Sequence, residues 1–184
     1  MKIIGNINLE GDKSISHRAL ILASMCRGKS VINNLPSSRD ILSTINCLRE
    51  TGISIIVKNN QAIIIGGTFR APSKKLNCDN SGTSMRLLAG LYSSIQLPVT
   101  LYGDSSLSQR PMERIIEPLS QMGITIVSNK GKAPIQLIKF NLQPLNYEVS
   151  LASAQVKSCL ILASINIPKK SIIKQNIKTR DHLE

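Results

Sequence analysis

The stretch Leu48-Arg49-Glu50-Thr51-Gly52-Ile53-Ser54-Ile55-Ile56 returns 71 residues later as Leu119-Ser120-Gln121-Met122-Gly123-Ile124-Thr125-Ile126-Val127. Each copy reads as the last turn of a helix, a glycine that stops it, and a run of β-branched residues that favours a strand. Outward from this core, the same elements surround both copies. In the first, Ile41, Ile45 and Leu48 recur at helical spacing behind Ser38, a residue suited to cap that helix. Ile53–Val57 and Ala62–Ile65 then flank the turn Lys58-Asn59-Asn60 and read as a strand pair. In the second, a helix over Met112–Met122 stops at Gly123, and Ile124–Val127 and Ile135–Ile138 flank Asn129-Lys130-Gly131.

A further helix and strand precede each copy: Ser14–Cys26 with Ser30–Ile32, and Thr83–Tyr92 with Val99–Tyr102. In the first of these helices Ile15, Ala19, Leu22 and Cys26 share one apolar face. A third copy begins near Ser153, with Val156, Leu160 and Ala163 along a helix and Ile172-Ile173 opening a strand. Thr179-Arg180-Asp181 then matches Ser38-Arg39-Asp40, and the sequence ends three residues later. The pattern predicts an α/β fold of repeated units over about 13–70, 78–140 and 150–184, the third incomplete. Helices of such a unit need a sheet to cover their apolar faces, so the expectation is a fragment truncated in its third unit.

Composition narrows the ligand class. Lys and Arg number 23 against 11 Asp and Glu, a net charge of +12 that attracts anions. Aromatic residues are only 3% and scattered, so the stacking platform of a nucleic-acid module is missing. No run of about 18 apolar residues exists to span a bilayer, so neither nucleic acid nor membrane is an expected partner. Cys26, Cys47, Cys78 and Cys159 form no CxxC pair, which predicts buried, reduced thiols in a cytoplasmic protein and no metal site.

Small hydroxyl residues with a nearby basic or amide group open the first helix of every copy. The three starts are Gly11-Asp12-Lys13-Ser14-Ile15-Ser16-His17-Arg18, Asn80-Ser81-Gly82-Thr83-Ser84-Met85-Arg86, and Ser153-Ala154-Gln155-Val156-Lys157. Taken singly, Ser14, Ser81 and Ser153 read as helix caps. Their recurrence beside Lys13, Arg18 and Gly82 points instead to anion binding, because unpaired N–H groups and the positive end of the helix dipole suit phosphate or carboxylate. Gly28-Lys29-Ser30 resembles the end of a P-loop, but Ala23 holds the required upstream glycine position and a helix precedes it.

Together these three starts, Gly103-Asp104-Ser105-Ser106-Leu107 with Arg110-Pro111-Met112, and Thr179-Arg180-Asp181-His182 resemble, in order, the motifs of the EPSP synthase (3-phosphoshikimate 1-carboxyvinyltransferase) family. The resemblance implies one lobe of a two-lobed inverted α/β prism, with helices inside and sheets outside. Residues 1–12, around the strand Ile3–Leu9, would belong to the second lobe, and 13–184 would form the substrate-binding lobe. The implied reaction moves the carboxyvinyl group of phosphoenolpyruvate to the 5-hydroxyl of shikimate 3-phosphate, in the shikimate pathway, without a cofactor. Lys13 is the implied catalytic cation and reaches both substrates. Ser14, Arg18, Ser153, Ala154, Gln155 and Thr179 are implied to bind shikimate 3-phosphate. Gly82 and Arg110, with Lys13 and Gln155, are implied to bind phosphoenolpyruvate, and Asn80 ranks second. The remaining half of the enzyme is the implied partner, without which this chain is expected to be inactive.

Glu10 stands where the family usually has Pro, Ser108 replaces a commonly basic position, and Thr179 replaces Ser. The related UDP-N-acetylglucosamine 1-carboxyvinyltransferases carry Lys-Asn at the first motif and usually a cysteine in the loop matching 104–110; here Lys13-Ser14 and a cysteine-free loop argue against them. A non-catalytic anion-binding or interaction protein derived from the enzyme is the alternative of another class.

Overall fold

The computed structural model describes Gly5 and residues 9–150, 152–180 and 182. Apart from Gly5 and Leu9, the strand expected around Ile3–Leu9 lies outside the described residues, as does Asp181.

The first unit contains α1 (Lys13–Met25), β1 (Gly28–Ile32), α2 (Arg39–Glu50), β2 (Ser54–Lys58) and β3 (Gln61–Gly66). The second contains β4 (Leu76–Asn77), α3 (Gly82–Ser94), β5 (Val99–Tyr102), α4 (Glu113–Gln121), β6 (Ile124–Asn129) and β7 (Lys132–Phe140). The third contributes β8 (Asn146–Val149), α5 (Ala154–Ser164) and β9 (Ile172–Gln175). Strands β4 and β8 fall just before the unit starts expected at 78 and 150. Leu76-Asn77 is too short to show an alternating pattern, which is why periodicity passes over it.

The sheets reproduce the repeat in strand order, while β6–β7 carries register shifts that β2–β3 lacks. One has order β1-β3-β2 and the next β4-β5-β7-β6, so β5, β7 and β6 stand where β1, β3 and β2 do. Gly28 faces Gly66 in the first sheet, and Val99 faces Leu137 in the second, the same 71-residue offset in register. Parallel pairs β4–β5 and β8–β9 enclose α3 and α5 as βαβ crossovers. Both hairpins close through two residues in the left-handed region, Asn59 and Asn60 at φ 48° and 57°, and Lys130 and Gly131 at φ 50° and 72°. Left-handed backbone at both central positions matches the twist of the flanking strands.

Along β7 buried and exposed residues alternate, so each sheet turns one face to the helices and the other to solvent. At the centre lies α3, which packs on α1, α2, α4 and α5 and on β5 and β7. Leu87, Leu88, Leu91 and Tyr92 on it are fully buried, and each such aliphatic side chain contributes about 1.5–3 kcal/mol of burial.

The apolar face expected on α1 is corrected by the structure. Ile15 is 53% exposed, Leu22 38%, and Cys26 is also exposed, whereas His17 and Arg18 are buried beside Leu20 and Ile21. Hydrogen bonding is the reason: His17 Nδ1 meets Thr44 on α2 and Arg18 meets Ser158 on α5, which reduces the penalty of burying them, although His17 Nε2 has no partner among the described residues.

Candidate functional site

Three helix starts meet at one cleft of about 380 Å³. Ser14 and Arg18 line it from α1, Thr83 and Arg86 from α3, Arg114 from α4, and residues 152–156 from the start of α5; Arg180 and His182 lie at its edge. The caps that set these starts differ in kind. Ser81 Oγ accepts from Ser84 N at 3.1 Å and Ser153 Oγ from Val156 N at 3.3 Å. For α1 the cap is Asp12, whose Oδ1 accepts from Ile15 N at 2.8 Å, and that bond holds its carboxyl below the usual range. Ser14 is therefore left to face the cleft.

Arg18 is 2% exposed and ties α1 to α5. Its Nε and Nη2 donate to Ser158 Oγ at 3.1 and 2.6 Å, and Nη1 donates to the Ser14 carbonyl at 2.8 Å. Its guanidinium thus both lines the cleft and braces the two helices that form it. Lys13 lies outside the lining residues: its Nζ pairs with Asp40 Oδ2 at 2.7 Å on α2. Thr179 is also outside, donating to Gln175 Oε1 at 3.1 Å, while its neighbour Arg180 reaches the cleft.

Gln155 is held at both ends of its amide. Arg86 Nη1 donates to Oε1 at 2.7 Å and Nε2 donates to Thr83 Oγ1 at 2.9 Å. Ala154 lines the cleft with it. Next to this pair, a Cβ on Gly82 would sit 2.8 Å from Arg86 Nη1 and 3.4 Å from Arg110 Nη1, so a side chain there would crowd both guanidinium groups. Asn80 joins Asp104 to Arg110: its Nδ2 donates to Asp104 Oδ2 at 2.7 Å, and its Oδ1 accepts from Arg110 Nη2. Asp104 also accepts from Leu107 N at 2.7 Å, the main cause of its lowered pKa. Asn80 thereby orients Arg110 through a loop fixed by a carboxylate.

Among the lining residues, Thr83, Arg86, Arg114, Ala152, Val156, Arg180 and His182 were not singled out as site residues from sequence. Arg86 ends the second motif and is visible there as a basic residue one turn after Gly82. Burial first, then Arg110 and Arg114, pull its pKa down. Among the described residues, no carboxylate lies within ion-pair distance of Arg86, Arg110 or Arg114. Neighbouring guanidinium groups without a contacting carboxylate favour an anionic ligand.

A buried polar chain connects α1, α2 and α3. His17 Nδ1 bonds Thr44 Oγ1 at 2.8 Å, Thr44 Oγ1 bonds Ser84 Oγ at 2.7 Å, and Ser84 Oγ bonds Ser81 Oγ at 2.7 Å. Burial lowers the His17 pKa to about 4, so its ring is neutral at pH 7. Among the described residues no group of three or more His, Cys, Asp or Glu is placed to hold a metal ion, and no helix is long and apolar enough to cross a membrane.

The family model for EPSP synthase (3-phosphoshikimate 1-carboxyvinyltransferase) matches residues 1–184. A 3-phosphoshikimate 1-carboxyvinyltransferase of Syntrophomonas wolfei is 44% identical over 98% of this chain and 43% of its own length. One from Caldicellulosiruptor saccharolyticus is 42% identical over 100% of this chain and 43% of its own. An EPSP synthase structure from Acinetobacter baumannii superposes with a TM-score of 0.91 at 36% identity, over 97% of this chain and 42% of that one. The chain thus spans about 43% of the length of these curated relatives. With the repeat, the fold and the ordered motifs all in agreement, this chain belongs to the EPSP synthase family.

Proposed function

We propose that this chain is the substrate platform of an enzyme that transfers the carboxyvinyl group of phosphoenolpyruvate to the 5-hydroxyl of shikimate 3-phosphate, releasing phosphate and 5-enolpyruvylshikimate 3-phosphate. The observation that carries the reading is the convergence of three helix starts on one cationic cleft. Two multiply charged anions must be held side by side for the hydroxyl to attack C2 of phosphoenolpyruvate. At about 4 Å, unit like charges repel by about 4 kcal/mol at an effective dielectric of 20, so the site must supply compensating cations. Arg18, Arg86, Arg110 and Arg114 do so from four different segments, and unpaired N–H groups at the helix starts add to them.

In this reading Ser14, Arg18, Ser153, Ala154 and Gln155 receive shikimate 3-phosphate, with Thr179 closing that side. Gly82, Arg110 and Gln155 receive phosphoenolpyruvate, with Asn80 orienting Arg110. Lys13 serves both substrates by exchanging Asp40 for a substrate anion. The rest of the enzyme is the partner that completes the site, and the chain alone turns over negligibly. A cytoplasmic setting belongs to the same proposal and accords with four unbridged cysteines.

Calorimetric titration of the chain with shikimate 3-phosphate tests the platform. Saturable binding is expected, weakened by about 1.5–3 kcal/mol in each of Lys13→Ala and Arg18→Ala, the range for charge-assisted bonds. If both variants bind like the parent, the site assignment is wrong.

A further inference from the structure

We infer that Arg114, on the first turn of α4, is an additional binding residue for the phosphate group of shikimate 3-phosphate. The inference rests on the substrate-platform reading and adds to it a residue that the motif resemblance does not include. Arg114 lines the same cleft as Ser14, Arg18, Ser153 and Gln155, the group read as the shikimate 3-phosphate side, whereas Arg110 does not line it. That placement assigns Arg114 to the phosphorylated ring substrate and leaves Arg110 to phosphoenolpyruvate. The guanidinium is exposed, makes no ion pair among the described residues, and lies near enough to Arg86 for the two charges to repel. A cation with no carboxylate partner, set beside others of like sign, gains most from a ligand carrying two negative charges. Its planar fork can hold two phosphate oxygens at once. The side chain has no bond to hold the fold together, so removing it should leave folding intact while altering recognition.

The test titrates the parent chain, Arg114→Ala and Arg114→Lys with shikimate 3-phosphate, with shikimate and with phosphoenolpyruvate, beside a thermal melt of each. Arg114→Ala should bind shikimate 3-phosphate about ten- to a hundredfold more weakly, with Arg114→Lys in between. Shikimate, which lacks the phosphate, should not distinguish the variants, and the melting temperatures should coincide. Undiminished binding of shikimate 3-phosphate by Arg114→Ala overturns the inference while the platform reading stands. A loss confined to phosphoenolpyruvate overturns the assignment to the ring substrate. Absence of saturable shikimate 3-phosphate binding by a folded parent overturns the platform reading, and this inference falls with it.

Discussion

Helices α1 and α3 hold equivalent places in successive units and are each 13 residues long, yet their burial is opposite in character. Tertiary neighbours surround α3, and Met85, Leu87, Leu88, Leu91 and Tyr92 are fully covered. On α1, Ile15 and Leu22 remain open while His17 and Arg18 are enclosed. The repeat therefore conserves the backbone plan and not the chemistry of each surface. The second unit supplies the central pillar, and the first supplies the buried polar links from α1 to α2 and α5.

The largest expected effect tests this contrast directly. Leu88→Ala on α3 should destabilise the chain by about 2–5 kcal/mol, because it removes a fully buried side chain and leaves a cavity. Leu22→Ala, on the exposed face of α1, should cost below about 1 kcal/mol, since its side chain is already partly hydrated. Urea unfolding of the two variants measures both, and equal costs would show that the first helices are equivalent after all.

An intermediate effect sharpens the comparison within the motif that defines the repeat. Gly52 and Gly123 occupy matching positions at φ 96° and 86°, so alanine is strained at either. A Cβ on Gly123 would come 2.1 Å from the Asn141 carbonyl oxygen, whereas one on Gly52 would meet the Arg70 side chain at 2.6 Å. Backbone cannot yield as a side chain can. Gly52→Ala should cost about 1 kcal/mol and Gly123→Ala at least twice that, read from thermal melts.

An effect of similar size concerns pH. The folded His17 pKa of about 4 lies below its ordinary value of 6.5, so between those values the unfolded chain binds more protons. Stability from this group is intact above pH 6.5 and falls as pH drops toward 4. The loss should reach about 2 kcal/mol by pH 5. Asp40, Lys13 and Arg18 all act on the ring, Asp40 opposing the shift and the two cations reinforcing burial. His17→Asn keeps a hydrogen-bonding group within reach of Thr44 Oγ1 but removes the titration, so its unfolding free energy should change less between pH 7 and 5 than the parent's. An identical pH slope in the two proteins would show that His17 does not titrate in this way.

Sequence alone determined the unit order, the glycine stops, both hairpin turns and the helix starts that meet at the cleft. These features depend on local physics: backbone propensity, capping, and hydrophobic spacing between near neighbours. The motifs also named most of the cleft, including Ser14, Arg18, Ser153, Ala154 and Gln155. Only the tertiary structure decided that Lys13 turns to Asp40, that Arg86 clamps Gln155, and that Arg114 from another segment joins the same cleft. It alone also decided which side of α1 is buried. A helix's spacing can mark an apolar stripe, but whether His17 and Arg18 can be enclosed depends on Thr44 and Ser158, partners 27 and 140 residues away. Such pairings arise when distant segments pack, and no local pattern encodes them.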